Sequence, residues 1–159
     1  LSFAATNIRV VNLDSLIDQN KDFISLIKKI QIDQKVHRNN FSIIENKLKE
    51  ELNEIDSLKI ILDEDEISSK INKYNKKLKD FNNEISKFNI HYDNQISSFK
   101  NIILDKILEI LKNYSSKNQI DLILDSDSYI LSTNSINITE IILLELNNNN
   151  FEITFEKYK

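Results

Sequence analysis

The sequence predicts an α+β fold: a long antiparallel coiled-coil helical hairpin projecting from a small β body that several chains build together. Three observations carry this expectation. Two apolar stripes recur at helical spacing, an acidic turn at Asp63 to Glu66 separates them, and short extended segments flank them at both ends. The chain has 159 residues with no glycine and no proline, so no breaker residue interrupts the helical pattern between Asp14 and Tyr114.

Ile8 to Asn12 read as a short strand, and helix signals follow from Asp14, or from Asn20 if a break precedes the first long helix. The first stripe runs through Phe23, Ile27, Ile30, Gln34, His37, Phe41, Ile44, Leu48, Leu52 and Ile55. Its steps of three or four align these side chains along one side of an α-helix. The second runs through Ile67, Ile71, Tyr74, Leu78, Phe81, Ile85, Phe88, Tyr92, Ile96, Phe99, Ile103, Ile107 and Ile110. Each narrow stripe needs the other to leave water, so the two pair as a hairpin. Asp63 is expected to cap the second helix, with Glu66 as its capping-box partner and Leu62 stapled on Ile67. The EF-hand spacing and its glycine are absent, and the acidic cluster is read as a cap that complements the helix dipole, with no calcium bound.

After Tyr114 the period becomes extended. Ile120 to Asp125 and Tyr129 to Thr133 read as strands around a turn at Ser126 to Ser128. Asn137 and Glu140 form a second capping-box pattern ahead of a helix through Ile141, Leu144 and Leu146. In the tail, Phe151, Ile153 and Phe155 alternate with Glu152, Thr154 and Glu156, which predicts an edge strand, in competition with a frayed end. The expected organisation is a start at 1–5, strand and helix start of the body at 6–22, a hairpin arm at 23–115 with its tip near 62–66, two strands and a closing helix at 116–147, and a tail at 148–159.

Three short strands are too few for a sheet with its own core, so the body calls for sister chains. Ile102, Ile103, Leu104, Ile107, Leu108, Ile110 and Leu111 cover most of one helix circumference, and a helix apolar all round is buried. Phe23 to Ile32 is its expected partner at the same height. Ile102, Leu104, Leu108 and Leu111, with Ile123 and Ile130 from the expected strands, are the candidate oligomer core.

Composition excludes several chemistries. With no cysteine there is no disulfide and no thiolate metal site, and the net charge of −4 argues against a general nucleic-acid binder. His37 and His91 each lack another histidine or a cysteine at ligand spacing, and His37 is expected in the seam with a local partner. Without glycine there is no phosphate-binding loop, dinucleotide fingerprint or nucleophile elbow, so neither an enzyme nor a cofactor is expected. Zero Gly, Pro, Cys, Met and Trp beside abundant Ile, Asn and Lys reads as codon bias. Ser2, Phe3 and Ala4 fit the small-x-small end of a secretory signal peptide, which predicts export beyond the inner membrane, in competition with an ordinary trimmed N-terminus. No apolar run approaches the ~20 residues of a membrane span.

Ile8 to Ile17, IRVVNLDSLI, and Ile120 to Leu146, IDLILDSDSYILSTNSINITEIILLEL, resemble the opening and closing segments of the Skp/OmpH family of periplasmic chaperones. Asn137, Ile138 and Thr139 are similar to the family's D-I-T helix start, and the element order matches. The resemblance implies a homotrimer with three hairpin arms around a cavity. It also implies unfolded outer-membrane proteins as the partners, held there in the periplasm without ATP. Known relatives are markedly basic and this chain is acidic overall, so no lipopolysaccharide site is carried over.

On that reading, Ile32, Val36 and Ile43 fall opposite the seam, with Ile90 at a similar height on the second helix. These four are the candidate client-binding residues, in competition with packing against a neighbouring arm. Lys70, Lys73, Lys76, Lys77 and Lys79 are candidates for electrostatic contact with acidic clients or an anionic lipid surface, against the plainer reading of a solvated helix face. A structural coiled-coil spacer and a prefoldin-like cytosolic chaperone are the alternatives. The terminal strands count against the first and the signal-like start against the second.

Overall fold

The computed structural model describes residues 5–159. Ser2, Phe3 and Ala4, the expected end of a signal peptide, lie outside them. The elements are β1 (Ile8–Val11), α1 (Leu13–Asp18), α2 (Lys21–Leu58), α3 (Glu64–Asn118), β2 (Leu122–Asp125) and α4 (Thr139–Asn147). Two 3₁₀ turns, Ser126–Ser128 and Asn134–Ile136, join β2 to α4. The chain forms two compact units, Leu1–Lys28 with Gln95–Phe155 and Lys29–Asn94 with Glu156–Lys159. The alternative helix starts both occur: Asn12 caps α1 by accepting from the Ser15 N–H at 2.8 Å. Asn20 caps α2 by accepting from Asp22 and Phe23 at 3.1 and 3.0 Å.

In the first unit β1 and β2 pair in parallel, from Ile8 opposite Leu122 to Val11 opposite Asp125. Parallel strands need a long crossover, and α1, α2 and α3 supply it. Val10 also bridges Asn137, its carbonyl accepting from the Ile138 N–H at 2.9 Å. β1 therefore lies inside, and the outer edge of β2 is open. The core beneath is apolar: Leu16 of α1, Ile103 and Ile107 of α3, and Ile142 and Leu146 of α4 are fully buried. Asn20 is buried too, and its amide donates to Asn147 Oδ1 at 3.2 Å, so the polar side chain is satisfied. α3 ends with Gln119 in the left-handed region at φ 52°, and the Ile120 N–H returns to the Ser115 carbonyl at 3.1 Å. That is a Schellman stop built without glycine.

Three expectations for this unit are corrected. Tyr129 to Thr133 is not a strand. Tyr129 and Thr133 have extended dihedrals, yet the segment pairs with nothing, and Ile130 and Leu131 are 104% and 89% exposed. A strand is a pairing, and among the described residues this segment pairs with neither strand. Phe151 to Phe155 is not an edge strand either. The Phe151 N–H donates to Asp22 Oδ2 at 3.0 Å and its ring meets that of Phe99 at 6.1 Å, so ring burial beside a charged acceptor replaces a ladder. Asn137 does not reach residue 140. It accepts from the Thr139 N–H and hydroxyl at 2.9 and 2.7 Å, which is an Asx turn closing two residues on.

In the second unit α2 and α3 pack antiparallel around Ile30, Leu48, Ile55, Phe88 and Tyr92. Ile44 and Leu52, expected in the seam, are 41% and 40% exposed. Two helices close only a narrow contact, and alternate stripe residues fall on its open flank. The buried polar residue of α2 is Asp33, whereas Gln34, placed on the first stripe by its spacing, is only half-buried. At the tip the Ile61 and Leu62 N–H groups return to the Leu58 carbonyl, and Asp63 Oδ1 accepts from the Glu66 N–H at 2.8 Å, as the cap pattern predicts. Among the described residues no helix is long and apolar enough to cross a membrane.

Candidate functional site

The hairpin unit carries the four candidate client-contact residues in the open. Ile32, Val36, Ile43 and Ile90 are 70%, 57%, 54% and 54% exposed. On a helix, steps of four and seven keep Ile32, Val36 and Ile43 on one face. Asp33 bonds Tyr92, so Ile32 and Ile90 stand at a similar level on the two helices. Two further exposed residues, Ile60 at 93% and Ile61 at 76%, sit at the tip. They escape periodicity analysis because they lie in the turn, where no helical pattern marks them.

At the same level, in the seam, is a cluster of rings that the stripes foresaw in part: His37, Phe88 and Tyr92 lie on them, whereas His91, Tyr158 and the carboxylate of Asp33 do not. The Tyr92 hydroxyl donates to Asp33 Oδ2, which also accepts from the Tyr158 N–H at 3.2 Å and lies 3.8 Å from His37 Nε2. His37 thus has the local partner expected of a seam histidine. Tyr158 sits edge-on to Phe88 and His37, both with centroids at 5.4 Å, and tilted against His91 at 5.5 Å. Its hydroxyl donates to Glu84 Oε1 at 2.5 Å. Burial, reinforced by the bond to Asp33, pushes the Tyr92 phenol up to about 12. The bond to Glu84, and then burial, raises that of Tyr158 to about 12. For Asp33 the available signal was its place three residues after Ile30 and four before His37, helical spacing that the stripe assigned to Gln34 instead.

Toward the tip an open groove of about 460 Å³ lies between the helices, lined by Phe41, Leu48, Tyr74, Leu78, Phe81 and Ile85 with Arg38, Glu45 and Lys49 at its rim. Beyond it the lysine run does not form an isolated basic patch. Lys77 Nζ reaches both oxygens of Glu51 at 2.9 Å, and Lys70 and Lys73 border a shallow groove with Glu50, Glu51 and Glu54. Lys76 and Lys79 are exposed.

In the body unit the candidate oligomer residues divide. Leu108, Leu111 and Ile123 line a second open groove of about 390 Å³ alongside β2. Within the single chain Leu111 is buried, Leu104 and Ile123 are half-buried, and Ile102, Leu108 and Ile130 are 52%, 51% and 104% exposed. The apolar girdle of α3 is therefore covered on one side only, by Ile103, Ile107 and Ile110. Leu144 on α4, 71% exposed, adds to the open apolar surface, where the sequence placed it only on the apolar face of the closing helix. No group of three or more His, Cys, Asp or Glu side chains fit to hold a metal ion occurs among the described residues.

No curated protein matches the chain. Among solved structures it is similar to a candidate outer membrane chaperone (OmpH-like) from Caulobacter crescentus, with a TM-score of 0.62 at 11% identity over 99% of this chain and 94% of that one. At that identity the likeness is one of fold: long helices with a small sheet. The model of the OmpH-like outer membrane protein family matches residues 7–146, from the residue before β1 to the last turn of α4, and the chain belongs to that family.

Proposed function

We propose that the chain is an ATP-independent holdase that binds unfolded outer-membrane proteins in the periplasm and prevents their aggregation. The observation that carries this reading is the exposed row Ile32, Val36 and Ile43, with Ile90, on a hairpin whose remaining surface is largely polar and charged apart from Ile44, Leu52 and the tip residues Ile60 and Ile61. Large exposed apolar residues on one face mark an interaction site. Weak, distributed contact of this kind suits a partner without fixed shape. Family membership and the description of the Caulobacter crescentus protein as an outer membrane chaperone support the role.

The working form is a homotrimer. Open apolar residues at Ile102, Leu108, Ile130 and Leu131, together with the unpaired edge of β2, support association through the body unit. Residues 23–115 then serve as arms and 116–147 as part of the shared body. Lys76 and Lys79 are the lysines of the run best placed for contact with acidic clients or anionic lipid, since Lys77 is engaged by Glu51. The deciding experiment is suppression of aggregation of a urea-denatured β-barrel membrane protein on dilution. Ile32→Ser, Val36→Ser and Ile43→Ser together should weaken protection while leaving helicity and assembly unchanged. Equal protection by the triple variant removes this face from the function.

A further inference from the structure

Tyr158 is held the way a peptide-binding domain holds an anchor residue. Three rings, from His37, Phe88 and His91, surround its phenol at 5.4 to 5.5 Å, and the Glu84 carboxylate accepts from its hydroxyl at 2.5 Å. The backbone leading into it is gripped as well. Asp33 Oδ2 accepts from the Tyr158 N–H at 3.2 Å, and His91 Nε2 lies 2.8 Å from the carbonyl of Glu156, which can only accept, so that nitrogen carries the proton.

We propose that this socket is a docking site for a tyrosine-bearing extended segment of an unfolded client, and that the protein's own C-terminal residues fill it until a client displaces them. The proposal rests on the holdase reading and names a site within it. The backbone contacts are blind to sequence, whereas the ring box and Glu84 select an aromatic side chain with a hydroxyl. Strands of membrane β-barrels supply that chemistry, since they alternate apolar and polar residues and carry aromatic girdles at both interfaces. The tail has the same pattern, with Phe151, Ile153 and Phe155 alternating with polar residues ahead of Tyr158. The socket lies at the same level of the hairpin as the exposed apolar face, about 100° round each helix from it. Asp33, His37 and His91 each directly follow one of its members, Ile32, Val36 and Ile90. A segment tethered by a short linker acts at an effective concentration on the order of millimolar. The tail therefore keeps the socket closed to weak single segments and yields to chains that also engage the apolar face.

The test uses a fluorescein-labelled synthetic peptide of sequence FEITFEKYK and the full chain, wild type and Tyr158→Ser. Tyr158→Ser should bind the peptide at least tenfold more tightly than wild type, and the same peptide with serine for tyrosine should bind neither. Equal binding by the two chains, or binding indifferent to the peptide's tyrosine, overturns the proposal. A second measurement needs no variant: hydrogen exchange of the Tyr158 amide on adding a urea-denatured β-barrel membrane protein. Protection should fall at least tenfold as client binds. Retained protection while aggregation is suppressed overturns the socket and leaves the holdase standing. Failure to suppress aggregation with the peptide still bound overturns the holdase reading alone.

Discussion

The phenol of Tyr92 on α3 donates to the carboxylate of Asp33 on α2, a bond between residues 59 positions apart. Tyr92 is fully buried and Asp33 nearly so. Removing Asp33 leaves the buried Tyr92 phenol without its acceptor, and removing the phenol leaves Asp33 with only the Tyr158 N–H and His37 beside it; losses of this kind cost about 1–3 kcal/mol. Tyr92→Phe and Asp33→Ala should each destabilise the fold by that order in urea unfolding. Because they share one bond, the double variant should lose clearly less than the sum of the two. Strict additivity would show that the bond contributes nothing to stability.

The two raised phenols make an alkaline signature. Tyr92, through burial and then the Asp33 bond, and Tyr158, through the Glu84 bond and then burial, move from an ordinary 10.0 to about 12. In both the folded value lies above the unfolded one, so the stability contribution is fully present below pH 10 and is lost as pH rises through 12. The melting temperature should decline across that window as phenolate absorbance grows. Tyr158→Phe keeps the rings in contact and deletes the hydroxyl, and it should remove part of both the late absorbance and the alkaline decline. Loss of absorbance near the ordinary pH 10, with the late rise toward 12 unchanged, would place Tyr158 outside the socket.

The helices were legible because their cause is local: three- and four-residue apolar steps with no breaker, and an Asp63 cap whose acceptor and donor are three residues apart. What escaped depends on partners far along the chain. Nothing near Asp33 announces Tyr92, and nothing near Tyr158 announces Glu84. The alternation in the tail reads as a strand whether the rings face a sheet or a helix, and here Phe151 faces Phe99. Tyr129 to Thr133 carries strand chemistry without a strand because pairing is not a property of one segment. The exposed face at Ile32, Val36 and Ile43 was legible for the opposite reason, since position on a helix follows from spacing alone.

Gln119 ends α3 at φ 52°, where a side chain crowds the backbone by roughly 1–2 kcal/mol and glycine does not. The contacts at this turn are made by its backbone: its carbonyl accepts from Asn7 Nδ2 at 2.9 Å. Gln119→Gly should keep that contact and stabilise the chain by about 0.5–1 kcal/mol after the extra entropy of unfolded glycine is counted. A lower melting temperature would mean that the glutamine side chain stabilises the turn more than its conformation costs.

Leu104 and Leu108 separate assembly from folding. The face of α3 that folds the single chain is Ile103, Ile107 and Ile110, all buried, whereas Leu108 is 51% exposed and Leu104 only half-buried. Carboxylates at the second pair meet water in a lone chain and low dielectric in a trimer, where each uncompensated charge costs several kcal/mol. Leu104→Asp with Leu108→Asp should therefore give a chain of unchanged helical circular dichroism that sediments as a monomer. A variant that retains the wild-type oligomer mass would place these residues outside the interface, and one that loses helicity as well would show that the body unit does not fold without its sisters.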